Sequence, residues 1–212
     1  MNVTANVDCK TIVFGKLKKG IDTHMMSMYV RLTDNGDHIE PEKLMIQVND
    51  VSFDNVGSRG NYMDVTTKNP ALYELVKNVE SHTLTQLKEN KDQWFGKPDI
   101  DDVFLESGLS STAVKDSKFR LRVMDDVKIY DGEKTEKSFS DLKANTRCHL
   151  IIQLVGVWFT PGRWGVTWKV MQVKLKDKRT GVYDYKKYLF SDNDSDDDRD
   201  EDLNALKVPP TW

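Results

Sequence analysis

One stretch near the end of the chain, residues 151–175, constrains the fold more than any other part of the sequence. It reads IIQLVGVWFTPGRWGVTWKVMQVKL, and apolar and polar residues alternate on both sides of a Thr-Pro-Gly-Arg turn sequence. Alternation with a period of two is typical of β-strands that bury one face. The stretch therefore predicts a hairpin of two long antiparallel strands, residues 147–159 and 164–175.

The register of this hairpin determines which side chains share a face. With Thr160 opposite Arg163, one face is apolar and is predicted to be the core face. It holds Val155, Val157, Phe159, Trp164, Val166, Trp168 and Val170. The other face holds Gly156, Trp158, Arg163, Gly165, Thr167 and Lys169. A slip of one residue would exchange the two faces.

Trp158 has two interpretations on that second face. A ring among glycines, a threonine and cations suits a single-stranded nucleic acid, since the ring stacks a base, the cations contact phosphates and the glycines allow close approach. Alternatively, Trp158 caps the end of a barrel or packs under a loop. For Trp164 and Trp168 the alternative to base stacking is core packing. The hairpin residues predicted to bind nucleic acid are Trp158, Phe159, Arg163, Trp164, Lys169 and Lys174.

A second cationic stripe precedes the hairpin. In residues 118–124, Lys118, Arg120 and Arg122 alternate with Phe119, Leu121 and Val123. A strand with this pattern buries the apolar residues and presents the cations together. They are predicted to contact phosphates, although a solvated strand face would have the same pattern.

The remaining pattern is mainly β with one helical segment. Residues 11–17, 25–32 and 44–48 read as strands, 55–60 as a loop, and 127–130 and 183–190 as further strands. Asn69 and Pro70 predict a helix start, and apolar residues at spacings of three and four follow to about residue 90, with a short second helix at 99–106. The predicted fold is an OB-fold-like barrel, residues 1–190, with a helical insertion at about 69–106.

Charge is distributed unevenly along the chain. Residues 115–190 carry 17 Lys and Arg against 9 Asp and Glu, whereas residues 191–212 carry 2 against 8. The last segment contains Asp196, Asp197 and Asp198 and ends in Trp212. It is predicted to be an acidic, disordered tail that binds a partner. A basic segment beside it fits a nucleic-acid-binding surface that the overall net charge of −3 conceals.

The sequence gives little support to other classes of protein. There is no phosphate loop, nucleophile elbow or Cys/His cluster with metal spacing, so neither an enzyme nor a cofactor is predicted. Asp99, Asp101 and Asp102 are interpreted as acids in the first turn of a helix. No apolar run is long enough to span a membrane, no secretory signal is recognised, and two distant cysteines favour an intracellular, reducing compartment.

Three segments resemble a known family. Residues 43–48 (KLMIQV), residues 92–97 (DQWFGK) and the hairpin, with Trp158, Phe159 and Trp168, are similar to single-stranded-DNA-binding proteins of nucleocytoplasmic large DNA viruses, such as chlorella virus and African swine fever virus. The overall plan also resembles that of the short-tailed coliphage single-stranded-DNA-binding protein. The resemblance implies a protein that coats single-stranded DNA at a viral replication site in the host cell, with a tail that recruits polymerase or helicase.

Two hypotheses follow from the sequence. The first is a single-stranded-DNA-binding protein of viral replication, recombination or repair. The second is a virion or assembly protein that uses an OB-like barrel for protein contacts, with its aromatic face buried in an oligomer. The sequence does not decide whether the protein prefers DNA or RNA, or whether it forms a homo-oligomer.

Overall fold

A computed structural model describes residues 7–21, 23–30, 33–34, 37–38, 42–56, 62–95, 100–114, 117–124 and 126–176. The chain divides into two compact units, Met1–Asp177 and Lys178–Trp212, and all of these residues belong to the first. The strand expected at 183–190 and the acidic tail with Asp196, Asp197, Asp198 and Trp212 lie outside the described residues. In the described part of the chain, no helix is long and apolar enough to cross a membrane.

The helical insertion lies where the sequence places it. Helix α1 spans Pro70–Phe95, and Asn69 caps it by accepting a hydrogen bond from the Ala71 N–H at 2.9 Å. Its buried apolar face contains Leu72, Leu75, Val76, Val79 and Leu87. The helix continues one turn beyond the expected end. There Trp94 packs on Phe14 and Phe95 on Phe159, with ring centroids 5.3 and 5.2 Å apart.

A short second helix follows. Helix α2 spans Asp102–Ser107, and the Asp101 side chain caps it by accepting from the Val103 N–H at 3.0 Å. Lys91 of α1 donates to Asp102 at 3.0 Å and to the Ile100 carbonyl at 2.8 Å. These contacts hold the two helices together, and Asp101 and Asp102 serve the helix as the sequence indicates.

Six strands precede the helices, and the sequence predicts only three of them. They are β1 (Ile12–Lys18), β2 (His24–Val30), β3 (Thr33–Asp34), β4 (Asp37–His38), β5 (Met45–Val56) and β6 (Tyr62–Thr67). Strand β5 extends well beyond the expected residue 48, so the predicted loop does not begin at Asn55. Strand β6 is absent from the prediction, although Met63, Val65 and Thr67 alternate as its buried face.

Six more strands follow the helices. They are β7 (Ala113–Val114), β8 (Lys118–Arg122), β9 (Lys128–Tyr130), β10 (Glu136–Lys137), β11 (Thr146–Thr160) and β12 (Arg163–Leu175). Two 3₁₀ helices, Cys9–Thr11 and Phe139–Asp141, complete the elements. The prediction of a mainly β fold with a helical insertion is therefore confirmed.

Five of the strands pair in a closed circuit. Strand β5 pairs with β6, β6 with β8, β8 with β12, β12 with β11, and β11 again with β5. Every pair is antiparallel except β8 with β12, which is parallel and joined through Arg122 and Lys169. The fully buried side chains of Phe119, Met63, Ile46 and Trp168 come from four different strands of the circuit.

The remaining strands extend the circuit at its edges. Strand β2 pairs with the second half of β11, where β5 no longer does, and β1 pairs with β2. Strand β9 runs parallel to the end of β12. The segment before β7 reaches β12 through an isolated bridge between Leu109 and Trp164. That segment forms one wall of the site described next.

Candidate nucleic-acid interface

The expected hairpin register is confirmed near the turn. Thr160 lies opposite Arg163, Phe159 opposite Trp164, and Trp158 opposite Gly165. Because the side-chain period is two, this register places Phe159 and Trp164 on one face and Trp158 on the other. Val157, Phe159, Trp164, Val166, Trp168 and Val170 are all buried.

The register shifts farther from the turn. An irregularity between Leu154 and Gly156 leaves Val155 without a partner, and Trp168 lies opposite Leu154. Leu154 is fully buried, whereas Val155 is only half-buried. The placement of Val155 on the core face is therefore wrong, because a bulge adds one residue to β11 and changes which side chains face inward.

Both glycines of the outer face contact protein atoms. A Cβ at position 156 would lie 2.2 Å from the Met26 carbonyl oxygen, so Gly156 lets β2 pack against β11. A Cβ at position 165 would lie 2.8 Å from Trp158 Cζ2 and 2.7 Å from the Ser110 carbonyl oxygen. The expectation that these glycines admit a nucleic-acid strand is therefore wrong: their space is already filled, and Gly165 instead lets the Trp158 ring lie close to β12.

A groove of about 860 Å³ opens beside Trp158. We call it the Trp158 groove. Strands β6 and β8 line it with Tyr62, Asp64, Arg120 and Arg122, and the hairpin lines it with Trp158, Val166, Thr167 and Trp168. Residues 110–112 form the wall between them. Tyr62 is 46% exposed and Trp158 is half-buried, so part of each side chain is open to a ligand in the groove.

Two residues of the cationic stripe on β8, Arg120 and Arg122, line the same groove, whereas Lys118 does not. Phe119, Leu121 and Val123 are buried, and Lys118 and Arg120 are exposed, as the alternation predicts. Arg122 is half-buried and is the register partner of both Tyr62 and Lys169. The strand order thus brings Arg120 and Arg122 of β8 together with Trp158 of the hairpin.

The cations differ in what they contact. Arg120 makes a bidentate pair with Asp64, with Nε to Oδ1 at 2.8 Å and Nη2 to Oδ2 at 3.0 Å. These hydrogen bonds raise the pKa of the Arg120 guanidinium above its ordinary value. Lys169 Nζ lies 3.4 Å from Asp126. In the described part of the chain, Lys118, Arg122 and Arg163 form no ion pair.

A buried carboxylate holds the wall of the groove. Glu80 of α1 is 1% exposed and accepts hydrogen bonds from Ser111 Oγ at 2.8 and 2.9 Å and from the Thr112 N–H at 2.8 Å. Lys77 Nζ lies 3.5 Å from the same carboxylate. Thr112 Oγ1 in turn donates to the Val166 carbonyl at 2.8 Å. The wall is therefore tied to both the helix and the hairpin.

Three residues predicted to bind nucleic acid lie at a second cavity. Phe159, Arg163 and Trp164 line an apolar cavity of about 690 Å³ between the hairpin turn and the two helices. The Trp164 indole N–H donates to the Leu105 carbonyl at 2.7 Å. Because Phe159 and Trp164 are buried and face away from Trp158, neither ring can stack a base in the Trp158 groove.

Lys174 lies apart from both cavities. It is exposed near the end of β12, opposite His149 and beside Tyr130 of β9. A register shift between Ile151 and Ile152 adds one residue to β12 between Lys169 and Lys174, so the two lysines lie on the same face although they are five residues apart. Since a β-strand rises about 3.3 Å per residue, Lys174 lies roughly 17 Å from Lys169 along β12. A bound nucleic acid would have to extend that far beyond Lys169 to reach it.

Sequence reasoning missed several residues of the site. Tyr62 and Asp64 belong to the unrecognised strand β6, whose alternation of Met63 and Val65 with polar residues is the signal that could have revealed it. Glu80 lies within the helical pattern at a buried position, where a carboxylate needs partners. Its partners Ser111 and Thr112 are distant in sequence, so no local pattern identifies them.

Comparison with known proteins identifies a family. The model of a family of unknown function, DUF5871, matches residues 46–192, which is more than half of the chain. This chain belongs to that family. The matched region contains β6, β8, β11, β12 and all of β5 except its first residue, and so nearly the whole strand circuit.

Two other comparisons add little about this chain. No curated protein sequence matches it. Among solved structures, it is similar to a single-stranded DNA-binding protein from bacteriophage Enc34 in complex with ssDNA, with 9% identity, 78% of this chain and 96% of that chain covered, and a TM-score of 0.36. At this TM-score the likeness carries no argument about fold or function.

Proposed function

We propose that this protein binds single-stranded nucleic acid, and single-stranded DNA in particular, in the Trp158 groove. The observation that carries the proposal is the shared lining of that groove: Trp158 and Tyr62 present accessible rings beside the guanidinium groups of Arg120 and Arg122. Proteins that bind single strands combine stacking platforms for bases with cations for the backbone. Both components are present here within one groove.

The strand circuit supports the same function. We assign it to the OB-fold, a five-stranded, partly open Greek-key barrel, because five strands close a circuit that contains one parallel pair. OB-folds bind oligonucleotides on the face of their second and third strands. In chain order, the second and third strands of the circuit are β6 and β8, which carry Tyr62, Arg120 and Arg122.

The groove favours single strands over duplex. Trp158 is half-buried, so a base must leave its own stack to reach the ring. An unpaired base does so at little cost, whereas a paired base must be extruded from the duplex at a cost of a few kcal/mol. Stacking contributes roughly 1–3 kcal/mol per base.

The biological setting is a further part of the proposal and rests on the sequence. We propose that the protein coats single-stranded DNA inside an infected cell, during viral replication, recombination or repair, and that it binds without catalysing a reaction. The tail with Asp196, Asp197, Asp198 and Trp212 would recruit a replication protein such as a polymerase or helicase. The resemblance to viral single-stranded-DNA-binding proteins supports this setting.

A salt-titrated binding experiment with the full chain tests the function. Fluorescence anisotropy of labelled oligo-dT and of a duplex of equal length would be measured from 50 to 300 mM salt. We expect tighter binding of oligo-dT, with affinity that falls as salt rises because phosphate contacts release counterions. Equal affinity for oligo-dT and the duplex would mean that bases do not stack on the rings of the groove. No binding to either form would favour an assembly protein instead.

A further inference from the structure

Asp64 is an unexpected residue in a groove for nucleic acid. It lines the Trp158 groove, and its carboxylate lies on the same strand face as Tyr62. A carboxylate repels phosphates, so its charge alone should lower the affinity of the groove for nucleic acid. Its position beside Arg120 indicates a different role.

The pair has the geometry of an arginine bound to phosphate. Asp64 lies directly opposite Arg120 in the β6–β8 register, and two parallel hydrogen bonds of 2.8 and 3.0 Å join the side chains. The guanidinium fork binds carboxylates and phosphates in this same bidentate way. Asp64 therefore occupies the Nε–Nη2 edge of the guanidinium and balances its charge, which leaves only the opposite edge to a phosphodiester.

The neighbouring cation provides a comparison within the same strand. Arg122 lines the same groove two residues along β8, and in the described residues no carboxylate pairs with it. Thus one arginine of the groove is available to a phosphate, and the other is bound. The Asp64 side chain is 25% exposed and that of Arg120 is 59% exposed, so the pair is accessible to an incoming strand.

We infer that Asp64 is an internal competitor for phosphate, which reduces the contribution of Arg120 to the affinity of the groove for single strands. This inference rests on the proposed function. When a phosphate takes Arg120, Asp64 loses its partner and is left beside a second anion. When Arg120 stays with Asp64, a phosphate can reach only the other edge of a guanidinium whose charge the carboxylate already balances, so the contact is weaker. Either way the affinity is lower than the cations of the groove would allow, which favours a bound strand that can be released.

The test is Asp64→Asn, which preserves the shape of the side chain and removes its charge. Binding of labelled oligo-dT to the full chain would be measured from 50 to 300 mM salt. We expect the affinity at 50 mM to rise about threefold to tenfold, because Arg120 is released to a phosphate. The slope of log affinity against log salt should steepen by about 0.7, the value for one more phosphate contact on a single strand.

Asp54→Asn is the matched control. Asp54 lies on the neighbouring strand β5, accepts a hydrogen bond from Thr66 Oγ1 at 2.6 Å, and does not line the groove. Its substitution changes the net charge by the same amount but releases no arginine. A rise in affinity common to both variants would assign the effect to net charge and overturn the inference.

Arg120→Ala completes the cycle. In the natural chain it should change the salt slope little, whereas in the Asp64→Asn background it should remove the added 0.7. If Asp64→Asn lowers the melting temperature, Asp64→Ser provides a second neutral variant with the same expected steepening. Unchanged affinity and slope in a folded neutral variant that still binds would overturn the inference alone. No binding by any variant would overturn the proposed function as well.

Discussion

The indole ring of Trp158 lies across the backbone of Gly165, close enough that a Cβ at position 165 would be 2.8 Å from Trp158 Cζ2. The two residues are register partners on β11 and β12. The position of the proposed stacking ring therefore depends on the absence of a side chain on the next strand.

Gly165→Ala should displace Trp158 and weaken oligonucleotide binding. The added methyl group would also lie 2.7 Å from the Ser110 carbonyl oxygen, which is backbone and yields less readily than a side chain. Overpacking of this kind costs about 1–3 kcal/mol of stability. Thermal melting and oligo-dT binding measure the two effects. Gly162→Ala is the control: its positive φ of 81° makes alanine cost about 1 kcal/mol, but nothing lies within 4 Å, so binding should be retained.

Trp158→Ala should mainly weaken binding, whereas Trp168→Ala should mainly lower stability. Trp158 is half-buried in the groove, so its removal should weaken single-strand binding by about 1–3 kcal/mol with a smaller loss of stability. Trp168 is 1% exposed, so its removal should destabilise the fold by about 3–5 kcal/mol. Urea unfolding and anisotropy measure both quantities. The reverse pattern would show that the faces of the hairpin have been exchanged.

Arg122→Ala should flatten the salt dependence of binding. Arg122 lines the groove and is free of ion pairs in the described chain, so it is the arginine best placed to neutralise a phosphate. Loss of one contact to a single strand lowers the slope by about 0.7. Lys88→Ala is the control, because Lys88 lies on α1 and pairs with Glu106 outside the groove. An equal change in both variants would mean that only the overall charge matters.

Glu80→Ala should destabilise the protein by about 1–3 kcal/mol, because the buried Thr112 N–H loses its acceptor. The wall of the groove should loosen as well, so single-strand affinity should fall. Chemical unfolding measures the first effect and oligo-dT binding the second. Glu74 lies on the same helix and is exposed, so Glu74→Ala should change stability by less than about 0.5 kcal/mol. Full stability in Glu80→Ala would show that the carboxylate does not hold the wall.

Asp50 should make stability depend on pH on the acid side. Partial burial raises its pKa, but hydrogen bonds from Arg147 and Lys176, together with their charges, outweigh burial and leave the pKa below its ordinary value. A lowered pKa in the folded state stabilises the protein above the unfolded-state pKa of about 3.9, and this contribution is lost as pH falls through the lower, folded-state value.

Asp50→Asn isolates that contribution. Asp50 has a φ of 55°, a conformation that Asn also tolerates, so the substitution adds little backbone strain. At pH 7 the variant should melt at a lower temperature than the natural protein, and the difference should shrink below about pH 4. Melting curves from pH 7 to about pH 2.5 provide the measurement. A difference that stays constant over this range would exclude a role for the ionised carboxylate.

Local patterns predict much of this fold because they depend on neighbours in the chain. The cap at Asn69, the alternation of Phe119 and Leu121 with cations, and the pairing of Thr160 with Arg163 all follow from periods and turn residues. Strand β6 was missed because it is short and lies between a predicted loop and the helix. The bulge at Val155 was missed because one added residue leaves the alternation on each side intact.

The sequence by itself therefore determined the mainly β pattern, the helical insertion, the hairpin register at its turn and the separation of cations from apolar residues on β8. Only the tertiary structure decided which of these surfaces meet. The closed strand circuit brings Tyr62, Arg122 and Trp158 to one groove, turns Phe159 and Trp164 away from it, and fills the space above Gly165 with a protein ring. It also binds Arg120 to Asp64, 56 residues away in the chain. Such contacts depend on strand order, which the periodicity of a single strand does not reveal.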